Sequence, residues 1–121
     1  MKRIRVYIAS PYAVGNKEEN VRFQMKVAYE LLKLGFNPYV PLYNHFLQET
    51  YPDLNDIISW IEIDKEWLKQ CDIAIRFHIK DKNGNEIPSL GADEEEKFCK
   101  ENNIPMYHFN SIEEMRTYLV L

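Results

Sequence analysis

Cysteine, positive charge and long apolar runs are all scarce in this chain. Two cysteines in 121 residues are too few for a disulfide framework. Cys71 and Cys99 therefore read as reduced, buried thiols. Their spacing from His45, His78 and His108 fits no zinc pattern, so no metal is expected. Fifteen Lys and Arg stand against 19 Asp and Glu, a formal charge of -4. Nucleic-acid polymers are bound by neutralising phosphates with a basic surface, so none is expected as a partner. One bound phosphate stays within reach, because a few backbone N–H groups can hold it. The apolar run after the basic start Met1–Arg5 breaks at Ser10-Pro11-Tyr12. It is too short for a signal peptide or a membrane span. A soluble, cytoplasmic protein with no membrane partner is the expectation. Also missing are G-x-G-x-x-G, a P-loop Lys, G-x-S-x-G and H-E-x-x-H. Typical dinucleotide enzymes, NTPases, α/β-hydrolases and zincins fall away with them.

What is present suits one globular domain over residues 1–121, with 45% hydrophobic and 13% aromatic residues. Val6-Tyr7-Ile8-Ala9 is a short apolar run ended by a turn signal, the pattern of a buried parallel strand. Asn16 and Glu19 form a capping box, Val21, Met25, Ala28 and Leu32 recur at helical spacing, and Gly35 marks a stop. Residues 37–42 read as a second extended segment, biased to an edge by Pro38 and Pro41. Residues 53–70 read as helix with a break near Trp60, its core side carrying Ile61, Trp67 and Leu68. A strand over 72–77, a turn at Asn83-Gly84, a helix over 91–102, a strand over 105–109 and a helix over 112–119 capped by Ser111 follow. The alternation predicts an α/β fold. It is a Rossmann-like or flavodoxin-like three-layer sandwich around a parallel sheet of about four to five strands. Ligands in such sheets bind beyond the carboxyl ends of the strands. That edge carries Ser10-Pro11-Tyr12, Asn44-His45-Phe46, Arg76 and Ser89-Leu90-Gly91.

Two carboxylates are the candidates for chemistry at that edge. The run Asp93-Glu94-Glu95-Glu96 opens a helix, where acids complement the dipole and solubilise the surface. Alternatively, one of them faces the cleft, held ionised by the helix end as a nucleophile needs to be. Asp64 lies at the border of the core side of its helix, where a lone Asp is commonly solvated. Two carboxylates converging on one cleft support glycosyl chemistry, one as nucleophile and one as proton donor. Tyr7 reads as core, with a hydroxyl that needs a partner, and a cleft carboxylate is a natural one. His45 is a surface ring or a ring that meets a planar ligand, a role Trp60 and Tyr43 could share. Ser89 and the Gly91 backbone could hold a sugar or phosphate oxygen. The 80–88 loop is either a plain connection or a cover.

Taken together, Tyr7-Ile8-Ala9-Ser10-Pro11-Tyr12, Asn20-Val21, Pro41 with His45-Phe46, Trp60 with Asp64, Leu68 with Cys71-Asp72, Arg76, and Ser89-Leu90-Gly91-Ala92-Asp93 with Glu95 resemble the nucleoside 2-deoxyribosyltransferase-like superfamily. The likeness runs from Tyr7 to Tyr107 and is closest to a small bacterial and phage branch. The branch is similar to the 2'-deoxynucleoside 5'-monophosphate N-glycosidases. It implies cleavage of the N-glycosidic bond of a 2'-deoxynucleoside or its 5'-monophosphate, by hydrolysis or base exchange, without a cofactor. Ser-x-Gly-x-x-x-Glu places the nucleophile at Glu95. The helix acid that assists departure of the base falls on Asp64, and the strand Tyr that orients nucleophile and sugar on Tyr7. The base-side His of the monophosphate hydrolases falls on His45. Ser10, Pro11, Tyr12, Ser89 and Gly91 complete the substrate site. Pro11 lacks an N–H and Tyr12 stands where those hydrolases carry a cation. Ser89 stands where the transferases carry an acid, which leans toward the hydrolases. A small nucleoside or nucleotide is then the partner, and a homodimer or larger homo-oligomer the assembly. The alternatives on the same fold are a non-catalytic nucleotide-binding module and a bacterial or phage interaction module.

Overall fold

The computed structural model describes residues 2–120. The elements in chain order are β1 (Arg5–Ala9), α1 (Lys17–Lys33), β2 (Asn37–Tyr39), α2 (Asn44–Thr50), α3 (Trp60–Leu68), β3 (Ile73–Phe77), α4 (Leu90–Glu101), β4 (Met106–Phe109) and α5 (Ile112–Leu119). β1 is the organising strand, because it pairs on both edges and is covered on both faces. Tyr7 lies level with Tyr39 on one side and Ala74 on the other. The sheet runs β2-β1-β3-β4 with every pair parallel. This is the α/β architecture that the alternation of elements predicts.

Side chains alternate across a strand, so β1 feeds two separate cores. Val6 and Ile8 pack with Ile75 and Phe77 against Val27 and Leu31 of α1 and Met115 of α5. Tyr7 and Ala9 point the other way, with Ala74, onto Leu68 of α3 and Ala92 and Cys99 of α4. Two helical layers on either side of the sheet make the three-layer sandwich. No helix among the described residues is long and apolar enough to cross a membrane.

The local signals for α1 hold. The Asn16 side chain accepts from the Glu19 N–H, and Gly35 closes the helix at φ 95, a left-handed conformation that glycine adopts without strain. Its inner face differs from the expected one. Val21, Gln24, Val27, Ala28 and Leu31 are buried, whereas Met25 and Leu32 are exposed. The buried stripe contains a glutamine, which hid its phase from a reading based on apolar spacing alone.

The segment after β2 departs furthest from expectation. β2 is only three residues long, because Pro41 starts a 3-10 turn, Pro41–Tyr43, that leads into α2. Asn44-His45-Phe46 therefore lies on a short helix and not on a loop. The helix expected over 53–70 begins only at Trp60, where Ser59 accepts from the Glu62 N–H. Pro52–Asp56 is a separate 3-10 turn. Trp67 is not core: it is exposed and stacks on Tyr39 at 5.4 Å. Cys71 is half-buried, while Cys99 is buried as expected. The 80–88 loop is tied by a bridge between Lys80 and Glu86 and by Asp81, whose Oδ1 accepts from the Asn83 and Asn85 N–H groups.

Leu31 is fully buried between α1 and the sheet. Leu31→Ala is expected to cost about 3 kcal/mol of stability. Urea unfolding checks this, with the midpoint falling and the slope unchanged.

Candidate functional site

The strand order reverses direction between β1 and β3, and a crevice opens at the carboxyl ends of strands at such a switch point. A cavity of about 540 Å³ lies there, within the usual span for small-ligand sites. The loop after β1 supplies Ser10 and Tyr12, α2 supplies Asn44 and His45, α3 supplies Trp60 and Asp64, and α4 supplies Gly91 and Glu95 after Ser89. Eight of the residues singled out in the sequence thus line one cavity: Glu95, Asp64, Ser10, Tyr12, His45, Trp60, Ser89 and Gly91. Tyr7 sits directly beneath, fully buried, and donates its phenolic hydrogen to Glu95 Oε2. Two do not reach the wall. Pro11 is buried and Tyr43 is half exposed, and neither lines the cavity.

The acidic run divides by helical phase. Asp93 and Glu96 hold the buried guanidinium of Arg76, at 2.7 Å and 3.0 Å. Glu94 reaches Lys65 on α3 at 3.7 Å. Glu95 alone among the four lines the cavity. Both readings of the run therefore apply, to different members. The expected ionisation of Glu95 does not hold. Burial pushes its carboxyl up to about 8, with the nearby Asp64 charge adding, against the lowering effects of the Tyr7 hydrogen bond and Arg76. Glu95 lies in the second turn of α4, whereas the dipole effect fades within the first. Desolvation wins over the dipole.

Asp64 behaves alike. Burial pushes it up to about 7, opposed by a hydrogen bond that Asn44 Nδ2 donates to its Oδ1 at 3.2 Å. The Tyr7 hydroxyl is held well above its ordinary value by burial and then by the charge of Glu95. It stays a donor at any ordinary pH. A stack of Tyr7, Tyr39 and Trp67, with centroids 5.7 Å and 5.4 Å apart, walls this group from the β2 side.

The other side of the cavity is a hydrogen-bonded frame. Tyr12 Oη lies 2.7 Å from His45 Nδ1, so the loop after β1 is fastened to α2. The Asn20 carboxamide donates to the Tyr12 and Val14 carbonyls at 2.9 Å and 3.0 Å and fixes that loop from α1. Ser89 caps α4, its Oγ accepting from the Ala92 N–H at 3.1 Å, which leaves its hydroxyl hydrogen free to donate. Gln24, fully buried, donates to the Ile8 carbonyl and to Ser10 Oγ and accepts from the Leu42 N–H. Accepting from Gln24 leaves the Ser10 hydroxyl hydrogen free to donate. Gln24 was not singled out in the sequence, although a Gln on the inner stripe of α1 was an available signal. Asn44 was placed at the ligand edge by the order of elements, but no role was given to it.

The strand order β2-β1-β3-β4, with the buried Glu95 and the half-buried Asp64 lining a cavity at the switch point, defines an α/β domain of flavodoxin-like topology. The chain belongs to the family described as Domain of unknown function (DUF7768), whose model matches residues 4–109. A search of curated proteins found no match.

A buried acid with a raised proton affinity weakens the fold as it ionises. Glu95 binds its proton more tightly folded than unfolded, so stability is lost as pH rises from about 4.5 through about 8. The neutral isostere Glu95→Gln removes that loss. Thermal unfolding of both proteins at about pH 5 and about pH 9 checks it, with a relative gain for the variant on the order of a few kcal/mol at the higher pH.

Proposed function

We propose that this protein cleaves the N-glycosidic bond of a 2'-deoxynucleoside or its 5'-monophosphate, with Glu95 as nucleophile and Asp64 as proton donor. In this reading the DUF7768 family is a branch of the nucleoside 2-deoxyribosyltransferase-like superfamily. The observation that carries it is the convergence of Glu95 and Asp64 on one cavity, with Tyr7 donating to the first. The apolar wall around Trp60 and Ile61 suits a planar base, and Ser10 and the α4 start suit a sugar or phosphate oxygen.

The chemistry balances with one proton. The Glu95 carboxylate attacks C1' as the bond to the base breaks through an oxocarbenium-like state, and positive charge at C1' favours the ionised carboxylate. Asp64 gives its proton to the departing base nitrogen. It then takes a proton from the water or second base that attacks C1' and releases Glu95. Tyr7 favours the reactive form by donating to the carboxylate. A homo-oligomer belongs to the same reading. Tyr43, Phe46, Leu47, Tyr51 and Ile57, exposed in the segment between the cavity residues Leu42 and Trp60, supply apolar surface for it.

The reactive form needs Glu95 ionised and Asp64 protonated. Its fraction rises with pH as Glu95 loses its proton and falls as Asp64 does. The pH profile of kcat/KM is expected to be bell-shaped, with its maximum between about 7 and about 8. Base release from a panel of deoxynucleosides, their 5'-monophosphates and ribonucleotides, followed by chromatography, tests the function. Glu95→Ala is expected to abolish release while remaining folded. Undiminished release from that variant contradicts the assignment. Ligand binding by the wild type without release supports a binding module.

A further inference from the structure

The Asn44 carboxamide is a polar group in the cavity wall that the proposed reaction does not use. It sits on the first turn of α2 and meets Asp64 Oδ1 at 3.2 Å through Nδ2. We propose that Asn44 is a positioning residue that places the transferable proton of Asp64 on Oδ2 and limits how tightly that proton is held. This rests on the glycosidase reading of the same site. The argument is one of donor inventory. Nδ2–H only donates, so the oxygen it meets must accept. In a protonated carboxyl the strong acceptor is the carbonyl oxygen, and the hydrogen resides on its partner. Oδ1 is thus occupied, leaving Oδ2 for the proton. The same bond is stronger to the carboxylate than to the acid, so it favours release.

The surroundings leave this role to Asn44. Glu95 on α4 and the tyrosines Tyr7 on β1 and Tyr39 on β2 approach Asp64 closely enough that their charges interact. Glu95, when ionised, opposes a negative Asp64. On α3 itself, the adjacent Lys65 is engaged with Glu62 at 3.5 Å and Glu94 at 3.7 Å. His45 follows Asn44 on α2 but is directed to Tyr12 and Glu49, at 2.7 Å and 3.8 Å. The Asn44 hydrogen bond is the interaction that opposes burial at Asp64.

The test is the titration of the Asp64 carboxyl, followed by carbon-13 NMR in the whole chain, with base release measured alongside. In the wild type, the Asn44 side-chain amide protons are expected to shift with the Asp64 midpoint. In Asn44→Ala the midpoint is expected to rise by about one pH unit, a tenfold gain in proton affinity. In Asn44→Asp, which keeps the shape but loses the donor, the rise is expected to be larger. The basic limb of the pH–rate profile should move up with it, an effect that loss of structure alone does not produce. An unmoved Asp64 midpoint in either folded variant, or wild-type amide protons blind to it, overturns the proposal and leaves the glycosidase reading intact. A moved midpoint in a protein that releases no base removes the glycosidase reading, while control of the Asp64 proton by Asn44 stands.

Discussion

The contact between the Tyr7 hydroxyl and the Glu95 carboxyl joins the middle of the sheet to the helix layer that roofs the cavity. Tyr7 can hold that place only because β1 is paired on both edges and buried on both faces. The packing of Leu68, Ala92 and Cys99 sets α3 and α4 at the height where Asp64 and Glu95 meet one cavity. Small residues matter here: Ala9, Ala74 and Ala92 leave room for helices to lie close over the strands. The larger core on the other face packs Val6, Ile8, Ile75 and Phe77 against α1 and α5, while α1 also buries the polar Gln24 and Glu30.

Two carboxyl groups in one cavity set stability against chemistry. Each is driven toward its neutral form by burial, and each ionises at a cost to the fold. Arg76 lowers the proton affinity of Glu95 from a distance, but its guanidinium bonds Asp93 and Glu96 instead. The groups that touch the two acids are neutral donors, Tyr7 and Asn44. A cation in contact would keep both ionised and remove the mobile proton. Neutral donors leave both proton affinities raised, as the proposed pairing of nucleophile and acid requires.

Much of the frame was legible from local patterns with unambiguous physics. The strands at Val6–Ala9 and 72–77 announced themselves as short apolar runs, and Asn16 and Ser111 cap helices as their spacing predicts. The caps at Ser59 and Ser89 emerge only in the structure. The order of elements then fixed which loops share an edge, and Glu95, Asp64, His45 and Ser10 arrive there together. What was hidden depended on tertiary context. α2 is seven residues long, too short for periodicity to reveal, and its start follows from Pro41 shaping a 3-10 turn. Asn44 was placed at the edge, but its contact with Asp64 was hidden for that reason. Gln24 was hidden because a polar residue on a buried stripe looks like a break in the pattern until its three partners are seen. The ionisation of Glu95 failed to follow from sequence because burial, a long-range property, outweighs the helix end, a local one.

The most direct measurement is the mass of the protein after reaction with a 2'-fluoro-2'-deoxynucleoside. Fluorine beside C1' destabilises the oxocarbenium-like state of both steps, and a readily departing base keeps formation of the glycosyl ester faster than its breakdown, so an intermediate accumulates. Intact mass spectrometry followed by peptide mapping then locates it. The account predicts one added fluorodeoxyribosyl group, on Glu95. Base release with Glu95 unmodified, or with the sugar on another residue, contradicts it.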